Sequence, residues 1–168
     1  MNIKIVLLSD LSSEQSLTYI KQIAKWHYAS WGKYVPNISE LEWAEKLKAS
    51  LADPDIQRIV AIDEQKNLLG SISLKKTHNI QEIFPEYSPW ASAMYVAENV
   101  RGKGIARKLL NAVCNLAAKQ SYSKIYGYTH HLELEGFYEK LGWNQILPAT
   151  KIPYTYRDAP ILLLSKDV

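Results

Sequence analysis

Hydrophobic and polar positions along this chain switch several times between helical and strand periodicity. Apolar residues at helical spacing follow Ser12 and Gln15, which match a capping box, and Ser39 and Glu42 form a second one. Short apolar runs between polar turns predict strands. The expected elements are strand 3–8, helices 12–28 and 39–51, strands 58–63, 68–74 and 91–97, helix 105–119, strand 124–129, helix 134–141, and strands 143–147 and 160–165.

The pattern by itself indicates a single domain of mixed α/β class, with a sheet whose strands lie largely in sequential order. A chain of 168 residues is long enough to bury a sizeable core as one domain. The predicted hairpin of strands 58–63 and 68–74 is followed by a longer connection, 75–89, before the strand at 91–97. No repeat, low-complexity tract or linker interrupts the chain.

The segment between the strand at 91–97 and the helix at 105–119 is a basic loop with two glycines. Gly102 and Gly104 lack a Cβ, so the backbone can turn tightly and bring its N–H groups close to a ligand. Those groups lie at a helix N-terminus, where unpaired donors and the helix dipole favour an anion. This chemistry predicts a phosphate or pyrophosphate site, and the simpler alternative is a basic turn that only begins a helix. The basic residues around the loop are Arg101, Lys103, Arg107 and Lys108.

Two familiar phosphate-binding loops do not match this segment. The P-loop spacing, G-x-x-x-x-G-K-[ST], occurs nowhere in the chain. The dinucleotide fingerprint G-x-G-x-x-G fits Gly102 and Gly104, but Arg107 occupies the third glycine position. A different nucleotide-binding α/β domain is therefore disfavoured.

Two motifs of the chain resemble the signatures of the GNAT superfamily of N-acetyltransferases. Arg101, Gly104 and Ala106 match the acyl-coenzyme A signature Q/R-x-x-G-x-G/A. Residues 137–143 match the second signature, F-Y-x-x-x-G-[FW], in a short helix after the next strand. The motifs stand in the family's order, separated by one helix and one strand. The resemblance is close over residues 90–143 and extends to the N-terminal third only in layout.

The resemblance implies the GNAT fold, β-α-α-β-β-β-α-β-α-β-β, an α+β arrangement whose mostly antiparallel central sheet splays at the cofactor site. It also implies acetyl-CoA (coenzyme A) as co-substrate. In the family, the strand before the glycine loop carries a bulge, and its free backbone groups pair with pantetheine; here those groups belong to Met94, Tyr95 and Val96. Many relatives carry a pantetheine-binding asparagine beyond the following strand, a contact that Thr129 or His130 replaces here or that is missing. The loop amides that would hold the pyrophosphate are those of Arg101, Gly102, Lys103, Gly104, Ile105, Ala106 and Arg107.

Acetyl transfer to an amine also requires proton transfers. The amine must attack in its neutral form, although a lysine-like amine has a pKa of about 10.4, and the departing thiolate must be protonated. Tyr138 stands where many family members carry the general acid; the alternative is a core aromatic whose hydroxyl only hydrogen-bonds the cofactor sulfur. Glu82 is the first candidate for the general base, and Glu86, His130, His131 and a water relay are the alternatives.

The acceptor pocket is expected between the first two helices and the connection before the central strand. Tyr28, Trp31 and Trp90 are the candidate acceptor contacts, because aromatic walls suit a cationic or ring-bearing amine. Tyr154 and Tyr156 are candidates for a lid. The carboxylates that could attract a positive acceptor are Glu82, Glu86, Glu133 and Glu135.

Charge and cysteine content narrow the range of partners. The 20 Lys plus Arg against 17 Asp plus Glu give a net charge of +3, too small to favour nucleic acid. The single cysteine, Cys114, excludes an internal disulfide, and a buried inert thiol is expected in its apolar helix. The histidines lack further ligands at suitable spacing, so no metal is expected. Without a signal-peptide pattern or a membrane-length apolar run, the protein is expected in the cytoplasm, with no membrane partner.

The sequence therefore predicts an acetyl-CoA-dependent N-acetyltransferase that acts on a small-molecule amine or a protein amino group, as a monomer or homodimer. The alternative is a non-catalytic acyl-CoA sensor or interaction module on the same fold. The two functions differ in whether an amine stimulates thiol release from acetyl-CoA.

Overall fold

The computed structural model describes residues 2–35, 37–151 and 160–168, without the side chains of residues 79 and 148–151. Within these ranges, helices and strands follow one another in the predicted order. They are β1 (Lys4–Leu7), α1 (Ser13–Trp31), α2 (Glu40–Ala49), β2 (Ile56–Ile62), β3 (Leu68–Lys75), β4 (Trp90–Val96), α3 (Ile105–Lys119), β5 (Lys124–Thr129), α4 (Glu135–Glu139), β6 (Asn144–Lys151) and β7 (Pro160–Asp167).

The first two helices begin at the side-chain caps that the sequence predicts. The Ser12 hydroxyl accepts a hydrogen bond from the Gln15 N–H at 3.3 Å, and Ser39 and Glu42 form a complete capping box. α1 ends at Trp31, about one turn later than predicted, because no glycine or proline interrupts it before that point.

The strands form one sheet in the order β1-β2-β3-β4-β5-β7-β6, in which neighbours are antiparallel except for β4 and β5. The sequential order expected from the pattern holds up to β5, and β7 then lies between β5 and β6. Residues 161–164 of β7 are all buried, a pattern typical of a strand inside a sheet that is covered on both faces. Leu147 of β6 is 37% exposed, as suits an edge strand.

Helices cover both faces of the sheet. Because side chains alternate across a strand, neighbouring residues of β2 face different helices. Val60 packs with Ile20 of α1, whereas Ile59 belongs to the larger core with Leu109 of α3. Cys114 is buried in that larger core, as predicted, and burial raises the pKa of its thiol. None of the helices in the described ranges is long and apolar enough to cross a membrane.

β4 is distorted at the centre of the sheet. Between its pairs with Ser73 and Ser71, β4 holds two residues where β3 holds one, which is a β-bulge. Ala93 in the bulge has a φ of +53°, which is unusual for a residue with a Cβ. The described register of β4 with β5 is one pair, formed by Trp90, and the strands diverge beyond it. The expected bulge and splay are therefore present, and they open a gap beside residues 94–96.

Candidate active site

A cleft of about 1840 Å³ opens where β4 and β5 diverge. Its walls come from α1, α2, the strands β2 to β5, the glycine loop, α3 and α4. A pocket for one small ligand typically has roughly 300–1,000 Å³, so this cleft has room for two substrates at once. The segments singled out in the sequence therefore face a shared space.

The glycine loop, residues 101–104, forms one end of the cleft. Gly102 and Gly104 have φ values of +78° and +76°, a region that residues with a Cβ rarely adopt. A Cβ on either glycine would meet no described atom within 4 Å, so the space beside this backbone is open. The loop thus leaves room for a group that lies directly against its main chain.

The N-terminus of α3 presents free donors at the same place. Gly104 is the N-cap, and no described side chain caps the helix. At the helix start, the Lys108 N–H donates to the Gly104 carbonyl at 3.1 Å, and the donors before it have no helical acceptor in the described chain. The helix dipole adds positive potential. These residues therefore fit the diphosphate of coenzyme A.

The basic side chains around the loop differ in their contacts. Arg101 donates from Nε to the Val96 carbonyl at 3.1 Å, and its Nη2 lies 3.7 Å from Glu98. This arginine ties the loop to the end of β4. Arg107 is exposed and lines the cleft, whereas Lys103 is exposed and does not line it. Of the predicted loop residues 101–107, Lys103 is the one that does not line the cleft as described.

The predicted pantetheine contacts lie along the gap beside β4, because Met94, Tyr95 and Val96 all line the cleft. The bulge takes Met94 out of the regular pairing with β3, and the divergence of β5 leaves the other edge of the strand open. The Tyr95 ring stacks on Trp26 of α1, with 5.1 Å between ring centres. Arg101 engages the Val96 carbonyl, so this acceptor is taken, whereas the Val96 N–H has no part in that contact.

Tyr138 lies on α4 and reaches the same cleft. Its ring packs edge-on against Trp143, with 6.0 Å between ring centres. The side chain is 9% exposed, and no described residue hydrogen-bonds its hydroxyl. Burial raises the pKa of Tyr138 to about 12, so the hydroxyl stays protonated at neutral pH. A protonated donor is therefore available inside the cleft.

The three aromatic residues predicted to contact the acceptor have different positions. Trp31 lines the cleft, as does Trp90, whose buried indole donates to the Tyr87 carbonyl at 2.8 Å. Tyr28 does not line it and instead packs edge-on against Trp43 of α2. Adjacent helical positions point about 100° apart, so α1 cannot turn both residue 27 and Tyr28 towards the sheet.

Glu82, the first candidate for the base, is not brought to the cleft. It is exposed on a short 3-10 helix, Asn79–Glu82, and does not line the cleft; Glu86 is also exposed outside it. The other candidates, His130 and His131, do line the cleft. Tyr154 and Tyr156 lie outside the described residues.

A buried polar surface under α1 and α2 is part of the cleft that the sequence reasoning missed. Arg58 of β2 and Lys75 of β3 line it, together with His27 and His78. The signal was an arginine inside an apolar strand, and polar residues in β3 at every second position from Ser71 to Lys75. The same alternation is found in a strand whose polar face lies in water. Only the packing of α1 shows that this polar face is buried instead.

Electrostatics at this end are dominated by cations. Burial lowers the pKa of His27 well below its ordinary value, helped by Arg58 and Lys75 and opposed by a hydrogen bond with the Ala93 backbone. Burial and then Lys75 lower the pKa of His78 to about 4. Burial also lowers the pKa of Arg58 to about 10, so Arg58 is charged at neutral pH while both histidines are neutral.

Carboxylates are scarce along the cleft, which corrects the expectation of acidic attraction for a positive acceptor. Of the predicted acids, Glu133 lines the cleft, with its Oε1 2.9 Å from His131 Nδ1. Glu98, beside Arg101, is the other lining carboxylate among the described residues. No group of three or more His, Cys, Asp or Glu side chains that could hold a metal occurs in the described part of the chain.

Comparison with solved structures supports the fold assignment. A spermidine N-acetyltransferase from Vibrio cholerae, in complex with CoA and spermine, is 20% identical over 98% of this chain and 95% of its own, with a TM-score of 0.71. An aminoglycoside 6'-N-acetyltransferase complexed with coenzyme A is 16% identical over 99% and 97%, also at 0.71. A GNAT-family acetyltransferase from Staphylococcus aureus is 18% identical over 99% of both chains, at 0.66. These likenesses establish the fold.

The family assignment comes from the sequence itself. No curated protein matches the chain. The sequence model of the acetyltransferase (GNAT) domain matches residues 55–145, more than half of the chain, including the glycine loop and Tyr138. The predicted family, fold and acetyl-CoA-dependent acyltransferase class are thereby confirmed. This chain belongs to the GNAT acetyltransferase family.

Proposed function

We propose that this protein transfers the acetyl group of acetyl-CoA to a primary amine of a small molecule, by direct attack while both substrates are bound. The observation that carries the proposal is the continuity of the cleft, which joins the open glycine loop to the bulge of β4 and the hydroxyl of Tyr138. Two of the similar structures are spermidine and aminoglycoside N-acetyltransferases, which supports an amine as the acceptor.

The glycine loop binds the diphosphate of the co-substrate. Backbone N–H groups between Arg101 and Arg107 donate to phosphate oxygens, and Gly104 lets those oxygens approach the main chain. Each such charge-assisted hydrogen bond contributes about 1.5–3 kcal/mol. Backbone groups among Met94, Tyr95 and Val96 pair with the pantetheine amides along the splayed strand. The bound co-substrate supplies an acetyl group activated as a thioester.

Acyl transfer forms a C–N bond and breaks a C–S bond. The amine nitrogen attacks the carbonyl carbon, and a backbone N–H near the bulge stabilises the negative charge that develops on the carbonyl oxygen. Tyr138 donates its proton to the sulfur as the C–S bond breaks, and solvent restores the tyrosine. A free thiol has a pKa of about 8.5, below that of Tyr138, but burial in the cleft raises the thiol pKa too and narrows the difference.

The proton of the attacking amine leaves to water in the cleft. Glu82 is outside the cleft, so we assign it no step. The two lining carboxylates in the described chain, Glu98 and Glu133, are engaged with basic neighbours. His27 is neutral and buried close to the bulge, but a histidine with so low a pKa is a weak base. We assign this step to a water relay, and His130 and His131, which also line the cleft, are the alternatives that the sequence left open.

The test is free-thiol release from acetyl-CoA across a panel of amines, together with calorimetric titration of CoA. We expect release that depends on an amine and saturates in both substrates. Binding of CoA without amine-stimulated release would make the protein a sensor of acyl-CoA and contradict the proposal. The cytoplasmic location and the monomeric or homodimeric state stay predictions.

A further inference from the structure

Three neighbouring strands place a row of polar residues under α1. Arg58 of β2 pairs with Ser73 of β3, and Ser73 pairs with Ser92 of β4. Residues directly opposite one another in antiparallel strands project from the same face, so the three side chains share the face that α1 covers. Lys75 lies one row further on the same face. We call the two cations of this face that line the cleft, Arg58 and Lys75, the inner cation pocket.

Arg58 is buried, and no residue in the described ranges pairs with its charge. Its side chain is 7% exposed, and within the described chain nothing accepts a hydrogen bond from its Nε or Nη1 and no carboxylate lies within 4 Å. The hydroxyls of Ser71 and Ser73 are also buried, and no described residue forms a hydrogen bond with them. A buried charge that lacks a partner typically costs several kcal/mol. Buried ionisable groups in such costly surroundings cluster at functional sites, so Arg58 is a candidate ligand-binding residue.

The other ionisable groups around the pocket do not neutralise it. His27 on α1 and His78 are neutral at pH 7. Asp53 favours the charged form of Lys75, yet this aspartate is exposed and forms no ion pair with that lysine in the described residues. Water could accept hydrogen bonds from Arg58, but it cannot cancel the charge. An anion can do both, and a guanidinium binds a carboxylate through two parallel hydrogen bonds.

The inner cation pocket is separate from the diphosphate site. The glycine loop lies beyond the C-terminal end of β4, whereas Ser92 is near the start of that strand. Met94 lies two residues from Ser92, roughly 7 Å along a strand. A short molecule can therefore have an anion at Arg58 and a nitrogen at the bulge.

We propose that the inner cation pocket binds a carboxylate of the acetyl acceptor, so that the acceptor is an amino acid or a closely similar amino-carboxylic acid. This inference rests on the proposed function. The proposal also explains why the cleft needs no strong base. Arg58 and Lys75 disfavour a third positive charge, so they promote the neutral form of a bound amine. The same charges would repel a polycation such as spermidine.

The test compares acceptors that differ in the carboxylate alone. Thiol release from acetyl-CoA is measured with each natural amino acid, with its α-amide, and with spermidine and O-phosphoethanolamine. The amine of an α-amide is less basic than that of the acid, so simple chemistry favours the amide. We expect at least one amino acid to exceed its amide by about 100-fold in kcat/KM, the scale of a buried charge contact.

Variants of Arg58 identify the group responsible. Arg58→Met should bring the ratio of kcat/KM for the amino acid to kcat/KM for its amide close to one. Arg58→Lys should give an intermediate ratio. Lys21→Met removes one positive charge from the exposed side of α1 and should keep the wild-type ratio. Without ligand, Arg58→Met should unfold at or above the wild-type temperature, because an unpaired buried charge has been removed.

The outcomes separate the two proposals. Faster turnover of amides, spermidine or O-phosphoethanolamine than of every amino acid would overturn the carboxylate assignment and leave the acetyltransferase. Binding of CoA with no release for any amine would overturn both. A fall in the unfolding temperature of Arg58→Met well below that of Lys21→Met would make Arg58 a structural residue and overturn the pocket.

Discussion

The glycine loop at one end of the cleft and the inner cation pocket at the other both offer positive charge, but they are built differently. We infer that the loop and the start of α3 offer the main-chain N–H groups of residues 102–107, and the two glycines of the loop have positive φ. The pocket uses side chains from β2 and β3, covered by α1. The loop is open to solvent, whereas Arg58 is almost completely buried.

The two sites therefore differ in how far they depend on the individual side chains of this protein. Main-chain N–H groups at a helix N-terminus can bind a diphosphate with few requirements on the surrounding side chains. Side chains that converge from distant segments can be replaced one at a time without disturbing the fold. We infer that the loop fixes the co-substrate and that the face of the sheet under α1 fixes the choice of acceptor.

The largest effect is expected for Gly104→Val. Valine is strained at a φ of +76°, and its branches would fill the space beside the loop. Loss of two phosphate hydrogen bonds would raise the Kd for CoA about 1000-fold or more, measured by calorimetry. Gly136→Val, at a glycine with no described atom within 4 Å of its Cβ, is the matched control. Near-normal CoA binding by the folded Gly104 variant would show that the diphosphate lies elsewhere.

Tyr138→Phe should lower kcat about 100-fold, the usual scale for losing a general acid, with little change in the Kd for CoA. The ring contacts with Trp143 are kept, so the variant isolates the hydroxyl. Tyr122→Phe removes a hydroxyl outside the cleft and serves as control. Equal kcat values for the two variants would remove Tyr138 from the mechanism.

Lowering the pH should reduce the free energy of unfolding, because His78 and His27 lie in surroundings that disfavour their protonated forms. The pKa of His78 is lowered from 6.5 to about 4 in the folded state, so the unfolded chain binds the extra proton. Its stabilisation is complete above pH 6.5 and is lost as the pH falls towards 4; between pH 7 and 5 it amounts to about 2 kcal/mol. Urea unfolding at both pH values measures this, and His27 adds in the same direction.

His78→Gln should reduce this loss, while replacement of the exposed His131 by glutamine should not. An equal free energy of unfolding for the wild-type protein at pH 7 and pH 5 would mean that neither buried histidine resists protonation.

The smallest effect is expected for alkaline pH. Because burial raises the pKa of Tyr138 to about 12, kcat should change less than about twofold between pH 8 and 10 once the acceptor amine is neutral. A pH–rate profile with saturating substrates measures it. A descending limb below pH 10 would place the tyrosine in a more polar site than the one described.

The cofactor end could be predicted from the sequence because its determinants are local. The two glycines before a helix predict a tight turn with free N–H groups. The second motif predicts the position of Tyr138 on a short helix. The element order was equally accessible, since Ser12, Ser39 and the Asp53-Pro54 pair mark helix ends. These features depend on neighbours within a few positions.

The acceptor end could not be predicted because it depends on contacts between distant segments. Arg58 and Ser73 become neighbours only through strand register, and the bulge of β4 sets which residues share their face. Tyr28 was a candidate acceptor contact and Glu82 a candidate base because of their positions in the sequence. The orientation of α1 and a short surface 3-10 helix place them away from the cleft. The insertion of β7 between β5 and β6 likewise reflects burial rather than local pattern.

The most direct test of the account is a calorimetric titration of coenzyme A into the acceptor-free protein at low and moderate salt. We expect saturable binding of one CoA per chain, weaker at higher salt because the loop and the start of α3 hold a charged diphosphate. Well-folded protein that releases no binding heat and shows no thermal stabilisation at saturating CoA would contradict it.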